Sequence, residues 1–387
     1  MKSTWRLAVL TLALGLSLAV SACVSGGKVE ESVPASDDKT IKIGFIGPLT
    51  GNLQTFGEST KNAFLLALEQ AGDKAGDYRI EYIVADDKND ADEAVKVATR
   101  LITQEKVKAV VGSITSKTSI PISDIANQNH VVMITSAATH EKITVADGTR
   151  KEYVFRACLL DPVQGTAGAK FALETLKAKK AAVLYDHNNE YSTGLAKNFK
   201  NSFAKSGEVV AFETTSAEDK GFPGLLTAIA EAKPDVLYLP FDYPKAGLVG
   251  QQARNKGIAT IFLGGDLWDS LDLNFTALDG GYFTNHYSPE EPRPEVKDWV
   301  QQYKAKYNAV PDIPATLSYD SARLLLNAIK TANSDEPAKI REALQATRDF
   351  PAVSGKITFN ESGNPVKHVV IMQVKDGKIV YTDSVTP

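Results

Sequence analysis

Along most of this chain short β-branched runs alternate with helical stripes, and near the middle the alternation begins again. That pattern builds parallel sheets covered by helices, and its restart calls for two such sheets. Ile41 to Ile46 reads as a strand, and Ala63, Phe64, Ala67, Leu68 and Ala71 mark the inner face of the following helix, which Gly72 stops. Tyr82 to Ala85 reads as a strand, and Asp90 caps a helix with Glu93 three residues on. Val107 to Val111 and Val131 to Thr135 are the next strands. After the restart, Ala181 to Tyr185, Val209 to Phe212, Val236 to Leu239 and Thr260 to Leu263 read as strands, and Leu195, Phe199 and Phe203 form a helix stripe. The fold class is therefore α/β, with two doubly wound lobes.

Helices are expected around Trp299, Tyr303 and Tyr307, at Leu317 to Ile329 and at Ala338 to Leu344. The tail then changes period. Ile357 to Phe359, Val366 to Val374 and Lys378 to Thr382 read as an antiparallel meander with turns at Asn360 to Gly363 and Asp376-Gly377. A chain that returns this way crosses between lobes several times, which makes a hinge. The expected division is 40–157 with 288–353 for one lobe and 158–287 with 354–387 for the other. About 350 residues exceed what a single core usually supports, which agrees with two lobes.

Lys2 and Arg6 precede an apolar run from Leu7 to Val20, and Ser21-Ala22 then meet Cys23. That is the pattern of a secretory signal over 1–22, too short for a comfortable membrane span. Residues 23–39 lack apolar periodicity and read as a flexible tether. As ~16 coil residues it would hold the body roughly 20 to 25 Å from its attachment point. The whole chain is 43% hydrophobic and 23% charged, ordinary values for a globular protein. Without Lys2 and Arg6, 41 basic residues face 47 acidic ones, a formal charge of about −6. That balance argues against a nucleic-acid partner. The only other cysteine, Cys158, stands far along the chain in the body.

Functional residues of open α/β sheets belong on loops at the carboxyl ends of strands. In the first half these read Gly47 to Gly51 with Phe56 beyond, Gly112 to Ser116, and Thr135 to Thr139: small, hydroxyl-rich and uncharged. Hydroxyls and free N–H groups at a helix start suit a carboxylate. In the second half they read Tyr185-Asp186 to Tyr191, Pro240 to Tyr243, and Gly264 to Asp269. Carboxylates and aromatics there suit an ammonium group and an apolar chain. A ligand with both ends is an α-amino acid.

The stretches GFIGPLTG, VVGSITSKTSIPISDIA, VVMITSAAT, YDHNNEYSTGLA and FLGGDLWD, in this order and spacing, resemble the branched-chain amino-acid-binding proteins of ABC importers. These are type I periplasmic binding proteins of the leucine/isoleucine/valine-binding family, here in lipoprotein form. Leu18 to Cys23 resembles a lipobox, which implies acylation of Cys23 and anchoring in the bilayer. The resemblance implies that Ser116, Ala137 and Thr139 hold the ligand's carboxylate and contribute to its ammonium. It makes Asp266 the acidic partner of the ammonium and lets Tyr191 close over the ligand. Phe56 stands where the family often has another aromatic. Asn89 and Thr115 occupy positions where some relatives have a disulfide. The implied partners are an amino acid and a permease with its ATPases, and the implied setting is the extracytoplasmic cell envelope. The chain is expected to be a monomer with no cofactor.

Asp242 departs from the pattern, because the family often places an aromatic there; Tyr243 is adjacent and can take over after a one-residue shift. A ligand with an extra amino or hydroxyl group would account for Asp242. A solvated carboxylate at the rim, or an ion pair across the lobes, accounts for it equally. Trp268, in a polar loop two residues beyond Asp266, is expected to wall the pocket. Asp186 and Asp269 read as loop-stabilising, and Trp299, Tyr303 and Tyr307 as helix packing. The five histidines are scattered and His140-Glu141 lacks a histidine three residues later, so no metal site is expected.

Catalysis is not expected. There is no G-x-S-x-G elbow and no phosphate loop, and Ser202-Phe203-Ala204-Lys205 matches S-x-x-K without its companions S-D-N and K-T-G. A sensor that reports ligand to a membrane partner is the other function such a fold serves. The chain ends just beyond its last predicted strands without a signalling domain, so import is expected over sensing.

Overall fold

The computed structural model describes residues 39–385, so Cys23, the leader and most of the tether lie outside the described residues. No helix among the described residues is long and apolar enough to cross a membrane. The first sheet takes β1 (Thr40–Gly47), β2 (Lys74–Ala75), β3 (Tyr78–Asp86), β4 (Ala109–Val111) and β5 (Val132–Thr135). A small ribbon of β6 (Val145–Ala146) and β7 (Thr149–Arg150) precedes its last strand, β8 (Val154–Arg156). Its order is β2-β3-β1-β4-β5-β8, parallel except at the β2/β3 edge.

Both faces of this sheet are covered, which is why its strands read as nearly continuous apolar runs. On one face Ile41, Ile43 and Phe45 pack into a cluster with Phe64, Ala67 and Leu68 of α1 (Gln54–Gln70). On the other, Val110 and Met133 meet Ala94 and Ala98 of α2 (Ala91–Thr99) and Ile122 and Ala126 of α3 (Ser116–Gln128). The Asp90 carboxylate accepts from Glu93 N at 3.0 Å, the cap expected from the sequence.

Beyond β8 the chain enters α4 (Asp161–Glu174) and builds a second sheet. Its elements are β9 (Lys180–Asp186), α5 (Glu190–Phe203), β10 (Glu208–Thr215), α6 (Pro223–Ala232), β11 (Val236–Tyr238), α7 (Tyr243–Asn255), β12 (Ile261–Gly264), α8 (Phe275–Leu278) and β13 (Tyr282–Asn285). Helices α9 (Pro294–Tyr307), α10 (Ile313–Ala332) and α11 (Pro337–Gln345) follow, and α10 packs along α1 on the first sheet. Trp299 of α9 is buried, stacks on Tyr319 with centroids 4.2 Å apart and donates to Thr316 Oγ1 at 2.9 Å, so this aromatic row is helix packing.

The tail differs from the expected meander. Ile357 belongs to a separate hairpin of β14 (Phe350–Ala352) and β15 (Gly355–Ile357). Only β16 (Val369–Lys375) and β17 (Lys378–Val385) continue as antiparallel strands, and β16 pairs with β13, so the second sheet runs β10-β9-β11-β12-β13-β16-β17. The break between has a local cause. Asn360 Oδ1 accepts from Ser362 N at 2.9 Å and Asn364 N at 3.0 Å, which closes a turn whose ends meet in a single antiparallel bridge between Phe359 and Pro365, and Pro365 has no N–H to extend it into a ladder. Val366 is accordingly exposed rather than paired.

Two contacts fix the elements that carry the site. Helices α4 and α5 touch at Gly165, where a Cβ would come within 2.8 Å of Asn198 Cβ and 2.9 Å of Phe199 N. Asp312, which caps α10, accepts from Ala315 N at 2.8 Å and from Ser59 Oγ of α1 at 3.0 Å. Burial pushes the Asp312 carboxyl up to about 7.

Gly165→Ala overpacks the α4–α5 contact and should cost about 1 to 3 kcal/mol, read as a lower urea midpoint. Because the folded pKa of Asp312 lies above its unfolded value, its stabilising contribution is complete below about pH 4 and is lost as pH rises to about 7. Asp312→Asn keeps the cap, so its melting temperature should rise relative to the unaltered protein between pH 4 and pH 7.5. A constant difference across that range would refute the assignment.

Candidate functional site

The three hydroxyl-rich loops lie at the carboxyl ends of β1, β4 and β5, as the parallel order requires. Ser116 is the first residue of α3, behind the extended Thr115, and its Oγ accepts from His140 N at 3.2 Å. The start of α3 is thereby tied to the loop after β5, which carries Ala137 and Thr139. Arg156, fully buried on β8, braces that loop by donating to Ala138 O at 3.0 Å and His140 O at 2.8 Å. Cys158, also buried, adds a contact from Sγ to Ala138 O at 3.1 Å, and burial pushes its thiol up to about 12. Ser116, Ala137 and Thr139 are all buried, and Thr139 Oγ1 has no hydrogen-bond partner among the described residues. Asn89 and Thr115 are joined by a hydrogen bond from Thr115 Oγ1 to Asn89 Oδ1 at 2.9 Å.

From the second sheet, Asp266 opens a single helical turn just past β12 and is 1% exposed. Its Oδ1 accepts from Tyr191 OH of α5 at 3.0 Å and from Gln164 Nε2 of α4 at 3.2 Å. Its Oδ2 faces His286 Nε2 at 2.8 Å. His286 Nδ1 accepts from Leu159 N at 3.1 Å, so Nε2 carries the proton and donates to Asp266. Burial lowers the His286 pKa, which keeps the ring neutral. Gly265 makes room for this arrangement, since a Cβ there would sit 2.3 Å from Tyr191 OH. Burial, with Asp266 nearby, holds the Tyr191 hydroxyl protonated.

Between the two groups stands Asp161, the first residue of α4. Its N–H donates to Thr139 O at 3.0 Å, and its side chain is 1% exposed. Neither of its carboxylate oxygens has a hydrogen-bond partner among the described residues. Burial, with Asp266 adding to it, raises its pKa well above the usual carboxylate range. Tyr238 OH and Trp268 Nε1 are likewise buried without partners among the described residues.

The remaining candidates lie further out or further in. Phe56 and Tyr243 meet edge to face with centroids 5.0 Å apart, and Tyr243 OH reaches across to Asn52 O at 3.2 Å. Asp242 caps α7 by accepting from Lys245 N at 3.1 Å, and burial raises its pKa. It lines a cleft of about 780 Å³ together with Asn52, Asn89 and Lys117 from the first sheet's loops and Asp186 and Ser192 from the second. Among the described residues it makes no ion pair across that cleft. Trp268 is fully buried, packed over Gly264 and 6.2 Å from the Phe283 ring, on the inner side of the second sheet. Asp186 and Asp269 secure loops: Asp186 Oδ1 accepts from Asn188 N at 2.9 Å, and Asp269 Oδ2 from Asn285 Nδ2 at 3.0 Å and Ile313 N at 3.1 Å.

The structure thus joins Ser116, Ala137 and Thr139 on one side and Tyr191 and Asp266 on the other. It leaves Asp242 on the wall of the cleft, and Phe56 and Trp268 in the core. Sequence reading missed Asp161, Gln164 and His286. A signal existed for Asp161, since Asp161-Pro162 is a helix-start pattern, but nothing along the chain links Gln164 or His286 to Asp266.

Known proteins share this architecture. The Leu/Ile/Val-binding protein homolog 3 of Brucella melitensis is 32% identical, over 88% of this chain and 93% of the relative. The leucine-, isoleucine-, valine-, threonine- and alanine-binding protein of Pseudomonas aeruginosa is 31% identical, over 84% and 87%. Among solved structures, the leucine binding protein LivK of Thermotoga maritima superposes with a TM-score of 0.85 at 35% identity, covering 90% of this chain and 99% of that one. The branched-chain amino acid transporter substrate binding protein LivJ of Streptococcus pneumoniae, in complex with isoleucine, gives 0.83 at 33% identity, covering 90% and 100%. The periplasmic binding protein family matches residues 40–378, and with two sheets of mainly parallel strands joined by repeated crossings, the chain belongs to that family.

Proposed function

We propose that this chain is the extracytoplasmic solute-binding protein of an ABC importer, that it captures an α-amino acid with an aliphatic or related side chain, and that it performs no chemistry on it. The observation that carries this reading is the pairing of a hydroxyl-rich helix start with buried carboxylates across the crossing between sheets. Ser116 and the first turn of α3 receive the ligand's carboxylate, and Ala137 and Thr139 take part in holding both ends. Asp266, oriented by Tyr191, Gln164 and His286, faces the ammonium. The relatives named for leucine, isoleucine and valine support an amino acid, and the family supports delivery to a permease.

The lobes are 40–157 with 288–353 and 158–287 with 354–387. Helices α9 to α11 following the first sheet, and β16 and β17 completing the second, support that division. Ligand contacts to both lobes exist together only in the closed form, so binding shifts the population toward closure. Asp242, as a helix cap on the wall of the cleft, is compatible with an aliphatic ligand, because its carboxylate already serves α7. The protein acts as a monomer, tethered to the membrane through acylated Cys23, with residues 23–39 as the spacer.

Calorimetry with leucine, isoleucine, valine, threonine and alanine tests the ligand class; binding of a sugar and of none of these would overturn it. Asp266→Ala should weaken the amino acid at least tenfold, since truncating one partner of a buried charge pair costs on the order of 2 to 5 kcal/mol. Unchanged affinity would remove Asp266 from the site. Cys23→Ala should release the protein from the membrane fraction of expressing cells, whereas continued pelleting with membranes would refute the anchor.

A further inference from the structure

Among the described residues three stretches of chain pass between the two sheets with their helices: one leaves β8 for α4, one leaves β13 for α9, and one leaves β15 for β16. In the first, three successive residues each hold a different part of the molecule. Ala157 N donates to Thr135 O at 3.0 Å, at the end of β5. Cys158 Sγ meets Ala138 O in the hydroxyl-rich loop. Leu159 N donates to His286 Nδ1, and the other ring nitrogen of His286 holds Asp266. Whatever fixes Ala157 to Leu159 therefore fixes how the two halves of the site face each other.

Lys367 supplies that fixing. It stands two residues ahead of β16, a strand of the second sheet, yet its Nζ donates to Ala157 O at 2.8 Å and to Ser354 Oγ. Ser354 lies in the turn between β14 and β15, and that turn is bound to α10 on the first sheet. There Asp320 accepts from Val353 N at 2.8 Å, Ser354 N at 2.9 Å and Ser354 Oγ at 2.7 Å. Arg293, in the second stretch, donates to Val353 O of the same turn at 2.7 Å. All three stretches thus meet at one turn anchored by a fully buried carboxylate. Burial lowers the Lys367 pKa to about 8, with Asp320 and Cys158 opposing the shift and Arg293 adding to it, so the group is still an ammonium at neutral pH. Tyr243 OH reaches Asn52 O across the cleft in the same structure, so the Lys367 bonds are bonds of a closed arrangement.

We propose that Lys367 is a positioning residue of the hinge: it ties the threshold of the second sheet to Ala157 and to the turn on α10, and so holds the lobes at the angle that keeps a ligand enclosed. The inference rests on the amino-acid reading and the lobe division above. Lys367 touches no ligand itself. It acts through Ala157 and Cys158 on the hydroxyl-rich loop, and through Leu159 and His286 on Asp266.

The test is the rate at which leucine leaves, followed by stopped-flow intrinsic fluorescence. Lys367→Met keeps the aliphatic stem and removes the ammonium. It should release leucine about tenfold faster, as the loss of a hydrogen bond from a charged donor predicts, while association stays within about twofold, because a strut of the closed form acts after encounter. Ser354→Ala leaves Asp320 its two backbone donors and should also speed release. The double variant should release no faster than Lys367→Met alone, since both residues act through one strut. A packing defect alone would lower the melting temperature without this split between release and association. Release within about twofold of the unaltered rate in both single variants, the range of an ordinary surface substitution, overturns the proposal. So does slower association at an unchanged release rate, or full additivity in the double variant. Should Lys367→Met fail to fold, Ser354→Ala decides by the same criterion. If the unaltered protein binds no leucine, isoleucine or valine, the amino-acid reading falls and this inference with it; if it binds leucine and the variants release it at the unaltered rate, only the role of Lys367 is dismissed.

Discussion

The buried carboxylate of Asp266 is the constraint to which the rest of the second sheet's functional end is fitted. A carboxyl group taken out of water loses its solvent partners, and protein donors have to replace them. Here the donors come from three elements: Tyr191 from α5, Gln164 from α4 and His286 from the segment after β13. Each donor is fixed in turn. Gln164 accepts from Thr284 Oγ1 at 2.8 Å, and His286 accepts from Leu159 N. Three elements are thereby tied to one carboxyl group, and α4 and α5, which both contribute to it, also pack closely at Gly165. The cost of burying Asp266 is offset by a network that has no slack.

Much of the fold was legible because burial on both faces writes itself into the chain as uninterrupted apolar runs. Ile41 to Ile46 and Ala181 to Tyr185 needed no context, and the Leu195, Phe199, Phe203 stripe identified the inner face of α5. The tail was harder, since Ile357 and Val366 carry strand-forming side chains whose fate depends on Asn360 and Pro365 rather than on their own preference. The hydroxyl loops were legible through position, as ends of parallel strands. The acids of the site were only half legible. Asp266 stands in a loop where a polar residue attracts notice, whereas Asp161 opens a helix and is easily taken for a cap. His286 becomes meaningful only once β13 lies beside β12.

Aromatic residues divide by what surrounds them. Trp268 follows Asp266 by two residues, yet the turn sends its ring back over Gly264 toward Phe283. Phe56 and Tyr243 come from opposite sides of the cleft and meet edge to face, an arrangement that costs little rotamer entropy and excludes water. Asp242 next to them looked anomalous in a linear reading. Its helix-capping bond supplies a local reason for a carboxylate where an aromatic was expected.

The bond between Thr115 and Asn89 has a consequence for the conditions under which the protein holds its shape. Where a covalent link would close this loop only in an oxidising medium, a hydroxyl and an amide oxygen close it in any medium. The one described thiol, Cys158, is buried, and its raised pKa leaves it without thiolate character. Among the described residues a reductant therefore finds no bridge to cut, and the one thiol lies out of an oxidant's reach.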